Sequence, residues 1–346
     1  MPGRLFKISV RIFVALLVVL AVWFLWPAYT PQIRDAQGQV VPGSIASLEQ
    51  VTLGGVPQSI LIRGWNRNNP ILLMLHGGPG MPQMYLAYRF QRELEKDFVV
   101  VQWDRRGAGK SYSRQVPPQS LKVEQLISDT HQLVELLRDR FHQPKVFVAG
   151  HSWGTYLGML AVQRYPDLFY AYVGMGQMTD SEQARKVRHD FLLQRARETR
   201  NQEALRDLES GSDEKWLFQF GGELRNATGW WTLLAMGLRA PEYTAADAFR
   251  IPAGLRLYAQ HMDASGHGEL VHEVSAVQVP VYFFLGRHDY NTPSELAVTY
   301  LETLRAPRKK VVWFEESAHF PFLEEPGKFA AEMRQVVSET SATGAP

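Results

Sequence analysis

Short apolar runs alternate along most of the chain with longer stretches in which apolar residues recur at helical spacing. Runs that are short, apolar throughout and rich in β-branched or aromatic residues are typical of strands buried on both faces of a parallel sheet. The alternation therefore predicts an α/β fold with a mostly parallel central sheet and helices on both faces. The predicted strands cover residues 47–53, 58–63, 71–75, 98–103, 146–149, 170–175, 279–286 and 310–314, and the predicted helices cover 121–141, 155–165, 293–304 and 326–339.

The alternation stops between residues 179 and 268. Charged helical stretches fill the first part of this segment and aromatic residues crowd the second. A segment of helical composition without strand patterns, placed between core strands, predicts an inserted α-helical lid. Most of its aromatic residues are expected to form the lid's own core, and some could line a pocket. The predicted core is then residues 30–178 and 269–340, and the predicted tail is residues 341–346.

Residues 1–29 form a separate hydrophobic element. Arg4, Lys7 and Arg11 precede an apolar run over residues 12–26, a length at the lower limit of a membrane span. We expect an uncleaved signal anchor, a single-pass transmembrane helix, because no small-residue cleavage site follows the run. The basic flank places the N-terminus in the cytoplasm and the rest of the chain outside it. The alternatives are secretion after signal cleavage and, less favoured by the basic flank, a buried globular helix.

Composition excludes several classes of function. The 346 residues carry a net charge of +2, which gives no electrostatic case for nucleic acid as a partner. There are no cysteines, so disulfides, thiolate catalysis and cysteine-ligated metals are excluded. Histidines do not occur at metal-ligand spacing, so no metal is predicted, and no organic cofactor is implied. The oligomeric state is left open.

Candidate chemistry begins with three residues that follow the predicted strand 146–149. Gly150, Ser152 and Gly154 have the spacing Gly-x-Ser-x-Gly, and a predicted helix follows them. Strand, sharp turn and helix are the context of a nucleophile elbow, in which a strained turn holds a serine hydroxyl at the positive end of a helix. Small neighbours are needed because the turn is tight. The alternative is an ordinary strand-to-helix turn with a capping serine.

A glycine-rich loop, His76-Gly77-Gly78-Pro79-Gly80, follows the predicted strand 71–75. Such a loop exposes backbone N–H groups at the end of a strand, which is how an oxyanion hole is built. A plain tight turn is the alternative. A second loop, residues 104–111, ends like a phosphate-binding loop, but Asp104 stands where that motif needs its first glycine. We therefore expect a structural turn whose aspartate and arginines brace neighbouring loops.

Two further candidates follow later predicted strands. Asp289 comes after the strand 279–286 and His319 after the strand 310–314. The carboxyl ends of parallel strands meet at one edge of the sheet, so Ser152, Asp289 and His319 are expected to lie together there. The serine needs a base, the histidine titrates in the right range, and the carboxylate would orient the imidazole. The chain order Ser, Asp, His is that of an α/β-hydrolase.

Five motifs together resemble the proline iminopeptidase family, a branch of the α/β-hydrolases that removes N-terminal residues from short peptides. The motifs are His-Gly-Gly-Pro-Gly at 76–80, Asp-x-Arg-Gly-x-Gly-x-Ser at 104–111, Gly-x-Ser-Trp-Gly at 150–154, Gly-Arg-x-Asp at 286–289 and Ser-x-His at 317–319. The resemblance spans about residues 53–329, except the lid. It implies that the nucleophile is Ser152, the base His319, the orienting carboxylate Asp289, and the oxyanion hole the N–H groups of Trp153 and of Gly77 or Gly78.

The resemblance also implies a substrate. Members of this family hold the substrate's amino terminus with glutamates of the lid, and Glu223, beside the lid aromatics, is our candidate for that role. The alternative for Glu223 is a solvated surface position. The predicted function is a serine hydrolase that releases N-terminal residues from short peptides through an acyl-enzyme. The alternative is a membrane-anchored esterase or lipid-side hydrolase with the same chemistry. A binding protein on a retired hydrolase fold is disfavoured, because every catalytic motif is present.

Overall fold

One sheet of eight strands organises the described part of the chain. The computed structural model describes residues 2–227, 229–237, 239–262 and 269–341, so the predicted end of the lid at 263–268 and most of the predicted tail fall outside the described residues. The strands are β1 Ile45–Leu53, β2 Val56–Gly64, β3 Ile71–Leu75, β4 Val99–Asp104, β5 Val146–His151, β6 Phe169–Met175, β7 Val281–Gly286 and β8 Lys309–Phe314. Each predicted strand coincides with one of them.

The strand order is β1-β2-β4-β3-β5-β6-β7-β8. β1 and β2 form an antiparallel hairpin, β2 pairs antiparallel with β4, and every other pairing in the sheet is parallel. β3, β4, β5 and β7 are buried at every position, as expected from their uninterrupted apolar runs. Parallel pairing brings the carboxyl ends of β3, β5, β7 and β8 to one edge of the sheet.

Helices cover both faces of the sheet, as predicted. Ile71 and Leu73 pack in a cluster with residues of α3 and α4, whereas Leu72 and Met74 pack in a second cluster with residues of α13. Successive side chains of a strand point to opposite faces, so two clusters require helices on both sides. The helices are α1 Pro2–Leu25, α2 Ala87–Phe90, α3 Val123–Phe141, α4 Trp153–Arg164, α5 Ser181–Glu198, α6 Gln202–Glu209, α7 Glu214–Gln219, α8 Trp231–Gly237, α9 Ala245–His261, α10 Leu270–Glu273, α11 Ser294–Thr303, α12 Pro321–Glu324 and α13 Pro326–Ser341.

The segment predicted as a lid lies between β6 and β7 and, where described, contains α5 to α9 and no strand. The expectation that most lid aromatics form the lid's own core is wrong. Phe191, Trp216 and Phe220 pack there, and Trp216 is buried and stacks on Phe220. The other described lid aromatics pack in the clusters on the sheet or are exposed: Phe218, Trp230, Tyr243, Tyr258, Trp231 and Phe249. A ring stack and a backbone hydrogen bond are among the contacts that attach the lid to the core. Phe191 of the lid stacks on Tyr290 at 3.6 Å between ring centroids, and the Tyr290 N–H donates to the Gly222 carbonyl at 3.1 Å.

The N-terminal segment, residues 1–29, contains helix α1, but the described helices include none that is long and apolar enough to cross a bilayer. The prediction of a transmembrane anchor therefore finds no support in the structure. After α1 the chain lies against the lid, where the Tyr29 N–H donates to the Pro241 carbonyl at 3.0 Å. The location outside the cytoplasm stays a prediction.

Candidate active site

Ser152 lies in the sharp turn between β5 and α4, with φ 52° and ψ −125°. A non-glycine residue with positive φ is strained, and the surroundings must hold it in place. The neighbouring glycines permit this turn. A Cβ atom on Gly150 would lie 2.5 Å from the Gly154 carbonyl oxygen, and one on Gly154 would lie 2.1 Å from the Leu75 carbonyl oxygen. The Gly-x-Ser-x-Gly spacing is therefore a steric requirement of the turn.

Asp289 and His319 meet at the same edge of the sheet. The His319 Nδ1 lies 2.9 Å from the Asp289 Oδ2, and both side chains are almost fully buried. The Asp289 Oδ1 accepts the backbone N–H groups of Asn291 and Thr292, both at 2.9 Å. With its Nδ1 engaged by the carboxylate, the imidazole has its Nε2 free to exchange a proton.

A threonine that the sequence reading missed completes this pair. The Thr292 hydroxyl donates to the Asp289 Oδ2 at 2.9 Å and lies 3.2 Å from the His319 Nδ1. It therefore fixes the carboxylate oxygen that holds the imidazole. The signal available in the sequence was the turn pattern Asp-x-x-Thr, in which a carboxylate bonds the backbone two and three residues on.

Ser152 and His319 line one cavity of about 160 Å³ at the carboxyl edge of the sheet. In the described part of the chain the Ser152 hydroxyl makes no hydrogen bond with His319, an arrangement common in enzymes without substrate. Of the residues predicted for the site, five line this cavity, and Asp289 joins them through its contact with His319. The cavity is lined by Gly77, Gly78, Met81, Pro82, Gln83, Tyr85, Leu86, His151, Ser152, Glu223, Trp230, Leu233, Asn291, His319 and Phe320.

The glycine-rich loop after β3 lies against the serine. A Cβ atom on Gly77 would lie 2.9 Å from the Ser152 Cβ, so only a glycine allows the loop to approach so closely. Gly78 has φ 111°, a conformation that side chains rarely adopt. Trp153 is the first residue of α4, and its N–H is one of those that a helix start leaves without an intrahelical partner. Gly77 and Trp153 thus lie directly beside Ser152.

Arg105 anchors the glycine-rich loop through hydrogen bonds to its carbonyl groups. Its guanidinium donates to the Gly77 carbonyl at 3.2 Å and to the Pro79 carbonyl at 2.7 Å. In a trans peptide group the C=O and the following N–H point in opposite directions, so anchoring the Gly77 carbonyl turns the Gly78 N–H away from Arg105. The guanidinium is fully buried, and burial lowers the pKa of Arg105 to about 10. The expectation that the loop 104–111 braces its neighbours is confirmed at this residue.

Arg106 braces a different part of the molecule. It forms a buried ion pair with Asp129 of α3, with 2.6 Å between the Arg106 Nε and the Asp129 Oδ2, and it also donates to the Leu53 carbonyl. The loop after β4 thus fastens both the glycine-rich loop and the β1–β2 hairpin.

Glu223 is buried in the same cavity, and not on the surface as the alternative interpretation had it. It is 3% exposed, and its Oε2 atom has no hydrogen-bond partner among the described residues. Burial raises the pKa of Glu223 to about 7, although the nearby His319 acts in the opposite direction. The Glu223 carbonyl also accepts the His319 N–H at 3.0 Å, which ties the lid to the loop that carries the histidine.

The protonation of His319 follows from its neighbours. Burial alone would lower the pKa of His319, but the carboxylates of Asp289 and Glu223 outweigh it and raise the pKa to about 8. Two other buried histidines near the site, His76 and His151, differ from His319, because burial lowers the pKa of both well below the usual value. The His151 Nε2 lies 2.9 Å from the His319 carbonyl, and the His76 Nε2 accepts the Arg105 N–H at 3.2 Å. Both rings therefore serve structural contacts.

The described residues contain no group of three or more histidine, aspartate or glutamate side chains that could hold a metal ion. The chemistry available at the site is that of a strained serine, a histidine–carboxylate pair and backbone donors. A fold with a parallel sheet, a nucleophile turn after its central strand and this site at its carboxyl edge defines a serine hydrolase of the α/β type.

Comparison with known proteins agrees with that class. Residues 70–326 match the family model of the alpha/beta hydrolase fold, and the chain belongs to that family. It is 32% identical over 302 residues to the probable aminopeptidase YbaC of Bacillus subtilis, covering 83% of this chain and 95% of that protein. It is 25% identical over 274 residues to the proline iminopeptidase of Heyndrickxia coagulans, covering 75% of this chain and 88% of that protein.

The crystal structure of the proline iminopeptidase of Mycobacterium smegmatis superposes with a TM-score of 0.65 at 18% identity, covering 86% of this chain and 99% of that one. At that identity the likeness concerns the fold. Together with the family match, these relatives make the protein a serine hydrolase similar to aminopeptidases, and the predicted resemblance to the proline iminopeptidases is confirmed.

Proposed function

We propose that the protein is a serine aminopeptidase that releases the N-terminal residue of short peptides through an acyl-enzyme. One observation carries the proposal: a buried carboxylate oxygen of Glu223 without a partner shares a cavity with Ser152 and His319. An isolated charge is costly to bury unless a group of opposite charge pairs with it. The protonated amino terminus of a peptide is such a group, and binding it would place the first peptide bond near the serine.

In the proposed reaction the Ser152 Oγ attacks the carbonyl carbon of the first peptide bond while His319 accepts the hydroxyl proton. Backbone N–H groups of Trp153 and of Gly77 or Gly78 stabilise the oxyanion. His319 then gives its proton to the departing amine, and the N-terminal residue stays on Ser152 as an ester. Water, deprotonated by His319, hydrolyses that ester and releases a free amino acid. Asp289 stabilises the imidazolium in both halves.

The test compares three substrates that share one acyl residue: a fluorogenic amide with a free amine, the same amide N-acetylated, and the N-acetylated ester. We expect turnover of the free amide, and a loss of about 100-fold in kcat/KM on acetylation, because the Glu223 carboxylate then lacks its cation. Glu223→Gln is expected to lower kcat/KM for the free amide about as much, and to change turnover of the acetylated ester far less.

Glu242→Gln is the matched control. Glu242 is also buried with an unpartnered carboxylate oxygen, but it does not line the cavity of Ser152. Its substitution is expected to leave the preference for the free amine unchanged. Turnover of esters with none of any free amino-acid amide would contradict the peptidase and favour the esterase alternative.

A further inference from the structure

Gln83 stands in the wall of the active-site cavity directly after the glycine-rich loop. Its side chain is 4% exposed, and neither its Oε1 nor its Nε2 atom has a hydrogen-bond partner among the described residues. Burying a carboxamide without partners is costly, and protein interiors rarely accept it. A polar group left in this state inside a binding cavity points to a ligand that completes its hydrogen bonds.

Two other buried glutamines show how unusual this is in the same molecule. Gln58 donates to Asp129 and accepts from Trp103, and Gln91 donates to Glu95 and accepts from Gln102. In both side chains the amide oxygen and the amide nitrogen are engaged. Those glutamines do not line the cavity, so the lack of partners distinguishes the glutamine of the site.

We propose that Gln83 binds a peptide group of the substrate beyond the scissile bond, and so makes the enzyme selective for peptides over simple amides of amino acids. A carboxamide presents one acceptor and two donor hydrogens, which complement the N–H and C=O of a peptide group. This proposal rests on the proposed aminopeptidase function.

The side of the scissile bond follows from the chemistry of the substrate. When a single N-terminal residue is released, the acyl part carries an amine and a side chain but no further amide. Every other peptide group belongs to the leaving part. The neutral carboxamide of Gln83, if it binds a peptide group, therefore binds the leaving part of the substrate. The Glu223 carboxylate binds the amine.

The test uses two substrates with the same N-terminal residue. One is a tripeptide, and the other is the N-butyl amide, which has a scissile amide of similar reactivity and no second peptide group. The wild-type protein is expected to prefer the tripeptide in kcat/KM. Gln83→Met, similar in shape and apolar, is expected to lower kcat/KM for the tripeptide by about 10- to 100-fold and that for the butyl amide by far less.

Thermal unfolding separates binding from a structural role. Gln83 makes no hydrogen bond within the described protein, so Gln83→Met is expected to leave the Tm unchanged or raise it. Gln58→Met is the control: it breaks buried hydrogen bonds away from the cavity, and it is expected to lower the Tm while leaving the ratio of the two kcat/KM values unchanged.

Three results would count against the inference: no preference of the wild type for the tripeptide, an equal loss on both substrates in Gln83→Met, or a lowered Tm that accounts for the loss. Failure of the proposed function looks different. In that case the wild type would hydrolyse the acetylated ester but neither of these amides, and the role of Gln83 would fall with the peptidase.

Discussion

The backbone of Ser152 is held in a conformation that costs about 1–3 kcal/mol for a non-glycine residue. The turn persists because β5 and α4 on either side are buried and because Gly150 and Gly154 leave it room. Stability is thus given up at the residue where the reaction needs an exposed hydroxyl. Such an exchange of stability for function is common at active sites.

Because the Ser152 backbone is strained, two substitutions that both remove the nucleophile are expected to differ in stability. Ser152→Ala and Ser152→Gly both remove the nucleophile, and kcat is expected to fall by about 10³- to 10⁶-fold in each. Ser152→Gly also relieves the strain, so it is expected to be more stable than Ser152→Ala by about 1 kcal/mol, after allowing for the greater freedom of glycine in the unfolded chain.

Denaturant unfolding and labelling with a fluorophosphonate probe measure the two effects. Equal stabilities of the two variants would mean that the turn is unstrained, and labelling of Ser152→Ala as strong as that of the wild type would place the nucleophile elsewhere.

The charge on His319 predicts the pH dependence of the reaction. Its pKa of about 8 means that the ring is protonated, and unable to act as a base, at neutral pH and below. Activity is therefore expected to rise with pH to a midpoint near that value. In Glu223→Gln an anion that raises the pKa of His319 is removed, so the midpoint is expected to move to lower pH.

The measurement is the pH profile of kcat/KM for an N-acetylated ester, since such a substrate needs no amine pairing. Glu242→Gln, which lies outside the cavity, is expected to keep the wild-type midpoint. An unchanged or higher midpoint in Glu223→Gln would show that the two groups are not coupled.

At the scale of elements, the loop after β4 is the part that holds the site in shape. Arg105 and Arg106 are neighbours in sequence and are both buried, but they point to different partners. The first fixes the glycine-rich loop beside Ser152, and the second pairs with Asp129 on α3. Adjacent side chains of the same type therefore allow catalysis and stability to be tested separately.

Substituting each arginine by lysine should separate these roles. A lysine cannot reproduce the planar fork, so Arg105→Lys is expected to loosen the Gly77 and Pro79 carbonyls and to lower kcat by about 10- to 100-fold, less than removal of an oxyanion donor outright. Arg106→Lys is expected to keep kcat near the wild-type value but to lower the free energy of unfolding by about 1–3 kcal/mol, because the buried Asp129 loses hydrogen bonds.

Steady-state kinetics and denaturant unfolding of both variants test whether Arg105 and Arg106 have separate roles. If both substitutions lowered kcat alike, the loop would act as one unit and the separate role of Arg105 would be wrong.

The sequence predicted the elements better than the contacts between them. Each strand was predictable from its apolar run, and Gly-x-Ser-x-Gly was predictable because the turn allows little else. Gln83 was not predictable, because its role depends on what faces it across the cavity. The Asp-x-x-Thr pattern could have predicted the bond of Thr292 to Asp289, but its contact with His319 joins two distant loops and carries no spacing signal. The transmembrane prediction rested on an apolar run at the lower limit of length, and it found no support in the structure.

At the scale of the whole molecule, the N-terminal segment, the lid and the core meet around a second cavity of about 320 Å³. It is lined in part by Trp26, Tyr29, Ala240 and Ile251. Tyr85 lines both this cavity and the one at Ser152, so the two cavities adjoin at that side chain. The segment that follows α1 therefore lines a cavity next to the active-site cavity.

The hydrogen bond from the His319 N–H to the Glu223 carbonyl bears on the size of the substrate. A lid that moved away from the core would break this hydrogen bond and disturb the loop that carries His319. We therefore expect substrates to enter while the lid stays in place. Under the proposed function, short peptides are then expected to be cleaved and folded proteins to be left intact.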